Sequence, residues 1–145
     1  MKDVKNYEGL YAVTSCGKVW SYKRKKFLNG STYKGYTRVC LTKDGVEKYY
    51  FIHRLVAETY IPNPTGLPEV NHLDEIKSHN YVNNLEWCDK TYNINYGTRN
   101  ERAAKSNSKA VICLELDKVF DSATEAGKQL NINRANISSC CGGKR

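Results

Sequence analysis

Paired cysteines are missing from this chain. It holds six cysteines in 145 residues, yet no Cys-x-x-Cys occurs. Cys16, Cys40, Cys88 and Cys113 stand apart, and Cys140 and Cys141 are adjacent, a poor geometry for bridging each other. Structural zinc is therefore not expected, since His72, His79 and Cys88 do not make the clustered pattern that zinc sites use. No apolar run approaches a membrane span, so no membrane partner is expected. Nothing at the N-terminus reads as a signal segment, which predicts reduced thiols and a cytoplasmic protein. Proline is scarce as well: all three lie in residues 61–68 with Gly66, and they mark a stiff connector.

What is abundant is tyrosine and positive charge. The chain is 40% hydrophobic, enough for a core, but eleven Tyr and three Phe favour small sheets with wet edges. Its length allows one ordinary domain or two to three very small modules. The net charge of +8 is unevenly spread. Residues 1–43 carry a net +8, residues 44–96 a net −4, and residues 97–145 a net +4. A cation site flanked by phosphate-binding arms would segregate charge in this way.

The pattern along the chain predicts an α+β protein. Residues 1–52 read as antiparallel β, with hairpins turning at Ser15-Cys16-Gly17 and Lys43-Asp44-Gly45. The run Lys23, Arg24, Lys25, Lys26 reads either as a phosphate-contacting loop or as an edge guarded by lysine. Arg38, Lys43 and Lys48 are expected to line one face of the second hairpin, as a ribbon for a DNA groove. Residues 53–60 read as a helix stopped by Pro62 and Pro64, with His53 and Arg54 in a cap-and-core role. Residues 69–96 read as strand, polar loop, strand and short helix, with Asp89 as N-cap and Gly97 at the exit. Residues 97–109 lack apolar periodicity and read as an extended basic linker, a plain tether or an arm along a minor groove carrying Arg99, Arg102 and Lys105. Residues 110–145 read as a hairpin followed by two helices, with Ser122 and Glu125 as a capping box. The second helix offers Arg134, Asn136, Ser138 and Ser139 to phosphates or base edges.

The chemistry concentrates between Glu69 and Asn93. His72 is a natural general base near neutral pH. Asn71 and Asn93 offer carboxamide oxygens, and Mg²⁺ accepts oxygen ligands while keeping several waters. Neighbours on a regular strand point to opposite faces, so Asn71 and His72 serve one site only across the scissile phosphate or through a bend.

Val70-Asn71-His72, Asn84-Leu85-Glu86-Trp87 and Asn93 resemble the HNH nuclease motif, in the branch of phage and group I intron homing endonucleases. His53 to Ala57 with Ile61-Pro62-Asn63-Pro64 resembles the lead-in of that domain. Tyr7 to Thr14 and Gly17 to Ser21 resemble its attached N-terminal DNA-binding module, and the tail from Ser108 its helix-turn-helix repeat. The resemblance implies a ββα-metal fold over residues 53–96, an N-terminal β-rich DNA-binding module over 1–52, and a C-terminal helix-turn-helix module over 110–145. It implies His72 as catalytic base, Asn84 as the catalytic-loop tie, and Asn71 and Asn93 as ligands of Mg²⁺ or Mn²⁺. Many relatives have Asp where this chain has Asn71, so weaker metal affinity or help from Asp74 is expected. The tail ends sooner than a complete repeat, so a truncated final module is an expectation.

The function that follows is site-specific hydrolysis of double-stranded DNA by a monomer without a small-molecule cofactor, leaving 5′-phosphate and 3′-hydroxyl ends. A DNA-binding or regulatory protein with a decayed centre is the alternative, supported by Asn71. An RNA-binding module, using tyrosines to stack single strands, is a third reading.

Overall fold

The computed structural model describes residues 1–142. It divides into two units, Met1–Gly97 and Thr98–Arg145. The first opens with an antiparallel sheet of β1 (Lys2–Asp3), β2 (Tyr11–Val13), β3 (Val19–Ser21) and β4 (Lys26–Phe27), in that order. A second sheet follows, of β5 (Ser31–Tyr33), β6 (Tyr36–Lys43) and β7 (Val46–Phe51). Both expected hairpins form. At the β6–β7 turn Asp44 and Gly45 have φ of 52° and 77°, the pair of positive values that a tight type I′ turn requires.

Helix α1 (Ile52–Tyr60) is the centre of this unit. It buries Ile52, His53, Leu55, Val56 and Ala57 and packs against β2, β6, β7 and the hairpin that follows. That hairpin consists of β8 (Glu69–His72) and β9 (Leu85–Cys88), joined through a 3-10 turn at Val82–Asn84, and leads into α2 (Lys90–Asn95). Asp89 Oδ1 accepts the Tyr92 N–H at 2.8 Å and so caps α2 as expected. One core runs through the whole unit, from Val4, Val13 and Val19 through Val39 and Leu41 to Leu55, Val56, Val70 and Leu85. Residues 1–52 and 53–96 therefore share their apolar interior. The reason is geometric: α1 buries a broad face, Ile52, His53, Leu55, Val56 and Ala57, and needs both sheets to cover it.

The second unit contains α3 (Arg99–Asn107), the hairpin β10 (Val111–Cys113) and β11 (Lys118–Phe120), α4 (Ala123–Leu130) and α5 (Arg134–Cys141). The extended linker expected over 97–109 is thus mostly helix. Apolar periodicity is absent there, as the sequence indicated, but propensity and charge order compensate. Ala103 and Ala104 favour helix, Glu101 lies in the first turn and Lys105 in the last, complementing the helix dipole. Ser122 Oγ accepts the Glu125 N–H at 3.1 Å, but Glu125 Oε1 accepts from Gln129 at 2.7 Å, so only the serine half of the capping box is seen. Asn131 ends α4 in a left-handed conformation. Residues 143–145, at the expected truncated end, lie outside the described residues.

Pairing register corrects one expectation. In β6–β7, Arg38 lies opposite Phe51, while Lys48 lies opposite Leu41 and Lys43 opposite Val46. Side chains alternate along a strand, so Lys43 and Lys48 share a face and Arg38 takes the other. Arg38 is instead held between the rings of Tyr33 and Tyr49, 4.5 and 4.3 Å from their centroids.

Two glycines in left-handed turns separate strain from crowding. A Cβ at Gly45 meets nothing within 4 Å, whereas at Gly17 it would lie 2.9 Å from Asn80 Cβ. Gly45→Ala should cost about 1–2 kcal/mol of stability from backbone strain alone. Gly17→Ala should cost that and a further ~1–3 kcal/mol from overpacking, read as the difference between their denaturant midpoints. Equal midpoints would show that the Gly17 contact has no energetic weight.

Candidate active site

The site is built on the last residues of β8. Asn71 pairs with Glu86 and His72 with Leu85 across the hairpin. Because faces alternate, Asn71 and Glu69 point to the side covered by α2, and Val70 and His72 point toward α1.

On the α2 side, Asn71 Nδ2 donates to Glu86 Oε1 at 2.8 Å. Asn93, on α2, donates from Nδ2 to Glu69 Oε2 at 3.2 Å. The two expected metal-ligating amides therefore reach the same face, each bonded to a glutamate. The face is electronegative. Burial, and then the charges of Glu86, Glu69 and Asp89, push the Cys88 thiol up to about 11. Desolvation and the Glu86 carboxylate raise the Tyr92 hydroxyl in the same direction. Among the described residues no three His, Cys, Asp or Glu side chains cluster at metal-binding distance. A divalent ion here would rely on amide oxygens.

On the α1 side, His72 is 5% exposed. Its Nε2 lies 3.2 Å from Asn80 Oδ1, and the Asn80 amide is itself fixed because Nδ2 donates to Ser78 O at 3.1 Å. The oxygen of Asn80 thus faces the ring, which places the proton of neutral His72 on Nε2 and the lone pair on Nδ1. Among the described residues, the buried side-chain N and O atoms without a partner are Arg38 Nε and His53 Nδ1. His72 Nδ1 is not one of them and has no hydrogen-bond partner among the described residues, so it is not sealed from solvent. The ring packs edge-on against His53 at 5.1 Å and near Tyr36 at 6.1 Å. Burial lowers the His72 pKa, against the Asn80 hydrogen bond and the Asp74 charge, which raise it. The net direction favours the neutral imidazole.

The loop between the strands is tied by Asn84. Its Oδ1 accepts the Asp74 N–H at 3.0 Å, and its Nδ2 donates to Asp74 Oδ1 and to His79 O, each at 2.9 Å. Its carbonyl accepts the Leu73 N–H at 2.9 Å, which anchors the residue after His72. Asp74 pairs with His79 at 2.6 Å and turns toward solvent. Burial opposes its ionisation, but the Ile76 N–H, the Asn84 amide and His79 bring its carboxyl down to about 2. Asp74 thus serves the loop.

The expected DNA contacts fall in separate places. Lys23, Arg24 and Lys25 form the exposed turn between β3 and β4, and Lys26 opens β4. Lys43 Nζ donates to Asn6 O at 2.7 Å, and Lys48 is exposed on the same hairpin face. Arg99, Arg102 and Lys105 lie along α3, and Arg134, Asn136 and Ser138 lie exposed on α5. Sequence reasoning missed Glu69, Glu86 and Asn80. Strand parity was the available signal for Glu69, which is two residues from Asn71, whereas Glu86 is placed by the register alone. Asn80 sits in an irregular loop, where no periodicity points to its partner.

His53 generates a test. Burial, then the neighbouring His72 and Arg54, push its pKa down to about 3. The unfolded chain takes up this proton near pH 6.5, and the folded chain resists it. Stability is therefore complete above about pH 6.5 and falls as pH drops toward 3, by up to about 1.4 kcal/mol per pH unit. His53→Phe should flatten that acid limb in urea titrations at stepped pH; an unchanged limb would contradict the burial cost.

Comparison with known proteins agrees with this geometry. The family model of the NUMOD4 motif matches residues 2–42. The DNA endonuclease I-HmuI of Bacillus phage SP01 is 32% identical over 99% of this chain and 90% of its own length. The uncharacterized HNH endonuclease L245 of Acanthamoeba polyphaga mimivirus is 33% identical over 93% of this chain, which spans 42% of that protein. A solved structure, described as DNA binding and cleavage by the HNH homing endonuclease I-HmuI, aligns with a TM-score of 0.60 at 32% identity, covering 99% of this chain and 90% of that one. No helix among the described residues is long and apolar enough to cross a membrane. With a hairpin-plus-helix site and a relative matched over nearly its full length, this chain belongs to the HNH homing endonuclease family.

Proposed function

We propose that this protein is a site-specific endonuclease that hydrolyses double-stranded DNA, with β8, β9 and α2 as a ββα-metal unit. The observation that carries the reading is the split presentation by β8. Asn71 and, through α2, Asn93 offer amide oxygens on one face. His72 offers a neutral, partnered imidazole on the other, at the end of the strand.

The donor set suits a hard divalent cation such as Mg²⁺ or Mn²⁺: neutral oxygens beside two carboxylates, with few protein ligands required. Asn71 and Asn93 would hold it. When bound, it would supply charge stabilisation for the pentavalent phosphorus and the departing oxygen. His72 removes the proton from the attacking water through Nδ1, since Nε2 is committed to Asn80. Burial keeps the ring uncharged and ready to accept that proton. Asn80 stabilises the imidazolium that forms, because its Oδ1 faces the Nε2–H. Asn84 holds the loop, and so the direction of His72. The products of this reaction are a 5′-phosphate and a 3′-hydroxyl.

The basic groups hold the duplex at this strand. Lys23, Arg24, Lys25 and Lys26 contact phosphates, with Lys43 and Lys48 on the second hairpin and Arg38 on its reverse. In the second unit α3 contributes Arg99, Arg102 and Lys105, and α5 contributes Arg134, Asn136 and Ser138 as a recognition helix.

Cleavage of plasmid DNA with and without Mg²⁺ tests the enzyme. His72→Ala should lower the rate by about 10²–10⁴-fold while leaving DNA affinity within a few-fold. A wild type that binds DNA and never cuts it would leave a DNA-binding protein with a decayed centre. Lys23→Ala should reduce the slope of log affinity against log salt by about one unit. An unchanged slope would return the Lys23–Lys26 turn to the role of an edge guard.

A further inference from the structure

We infer that Glu86 and Glu69 supply the negative charge that the amide pair Asn71 and Asn93 lacks, and that they turn both amide oxygens toward the cation. The inference rests on the reading of Asn71 and Asn93 as ligands. A carboxylate only accepts hydrogen bonds. With Glu86 at 2.8 Å from Asn71 Nδ2 and Glu69 at 3.2 Å from Asn93 Nδ2, each amide must face its acid with the NH₂ group. Each Oδ1 then points away from the acid. Neither amide oxygen appears among the buried unpartnered atoms of the described residues, so both remain open to a ligand.

The amide hydrogen bonds alone do not require the charge, although Glu86 also faces the Tyr92 hydroxyl. Gln in place of either Glu would accept the same amide hydrogen bond without bringing two like charges to one partly buried face. Among the described residues neither Glu69 nor Glu86 ion-pairs with Lys or Arg. A bound divalent cation would offset that repulsion. The charge of Glu86 stands directly across the hairpin from Asn71, since the two are register partners.

This gives a charge-relocation test that does not depend on cleavage. Mn²⁺ alone is titrated into the full chain carrying His72→Ala, and free Mn²⁺ is followed by electron paramagnetic resonance, with circular dichroism confirming the fold. Glu86→Gln and Glu69→Gln should each weaken Mn²⁺ binding by about 10–100-fold, the range for outer groups of metal sites. Asn71→Asp alone should lower the metal-free unfolding midpoint, because it sets a second carboxylate against Glu86. Asn71→Asp combined with Glu86→Gln should restore both the midpoint and the affinity. Asn93→Ala is the control for the underlying reading. If it weakens Mn²⁺ binding and the two Gln variants do not, the glutamate inference is overturned and the ligands stand. If Asn93→Ala leaves binding unchanged, or the parent chain takes up no Mn²⁺, the ligand assignment falls, and the inference with it.

Discussion

A β-strand cannot show two neighbouring side chains to the same side. That constraint governs Asn71 and His72, and the architecture around them is arranged to make it useful. The two faces of β8 have opposite chemistry. One is covered by α2 and carries amides and carboxylates. The other packs on α1 and carries an imidazole among aromatic rings. A single face would have to hold a cation and keep a histidine uncharged in the same few ångströms. A cation beside His72 would suppress its proton affinity, and a carboxylate beside it would favour the protonated ring, which cannot take a further proton. In the proposed mechanism, placing them on opposite sides removes both conflicts, with a phosphate reaching each at the strand end.

Helix α1 makes the separation possible. It is short, yet almost every turn is buried, because it is the shared floor of the N-terminal sheets and the β8–β9 hairpin. His53 enters the site from this helix. Its Nδ1 is buried without a partner, a cost of roughly 1–3 kcal/mol that an apolar ring would avoid. The turn of the first hairpin closes on the same region: Gly17 lies against Asn80, and Ser15 O accepts the Val82 N–H at 2.8 Å. The residues that resemble a DNA-binding module thus brace the loop that orients the His72 imidazole, and the basic β3–β4 turn belongs to the same compact unit.

Local signals made most of this legible. Asp44-Gly45 marked a hairpin, Pro62 and Pro64 marked the end of α1, and Asp89 and Ser122 marked helix starts, because each acts through its own backbone. The strand, loop, strand and helix order around His72 was readable for the same reason. What the sequence withheld depends on partners distant in the chain. Arg38 was grouped with Lys43 although their spacing is odd, so alternation separates them. The helix at 99–107 has no apolar stripe, and the missing stripe concealed its favourable alanines and charge order. Glu86 looked like part of a motif, and only the register places it opposite Asn71.

The most direct measurement is the position of the metal. In crystals of the protein with duplex DNA, Mn²⁺ located by its anomalous scattering should lie on the α2 side of β8, about 2 Å from the Asn71 and Asn93 Oδ1 atoms. His72 Nδ1 should face the scissile phosphate from the opposite side without touching the ion. An ion coordinated by His72, or bound away from both amides, would contradict the division of labour between the two faces.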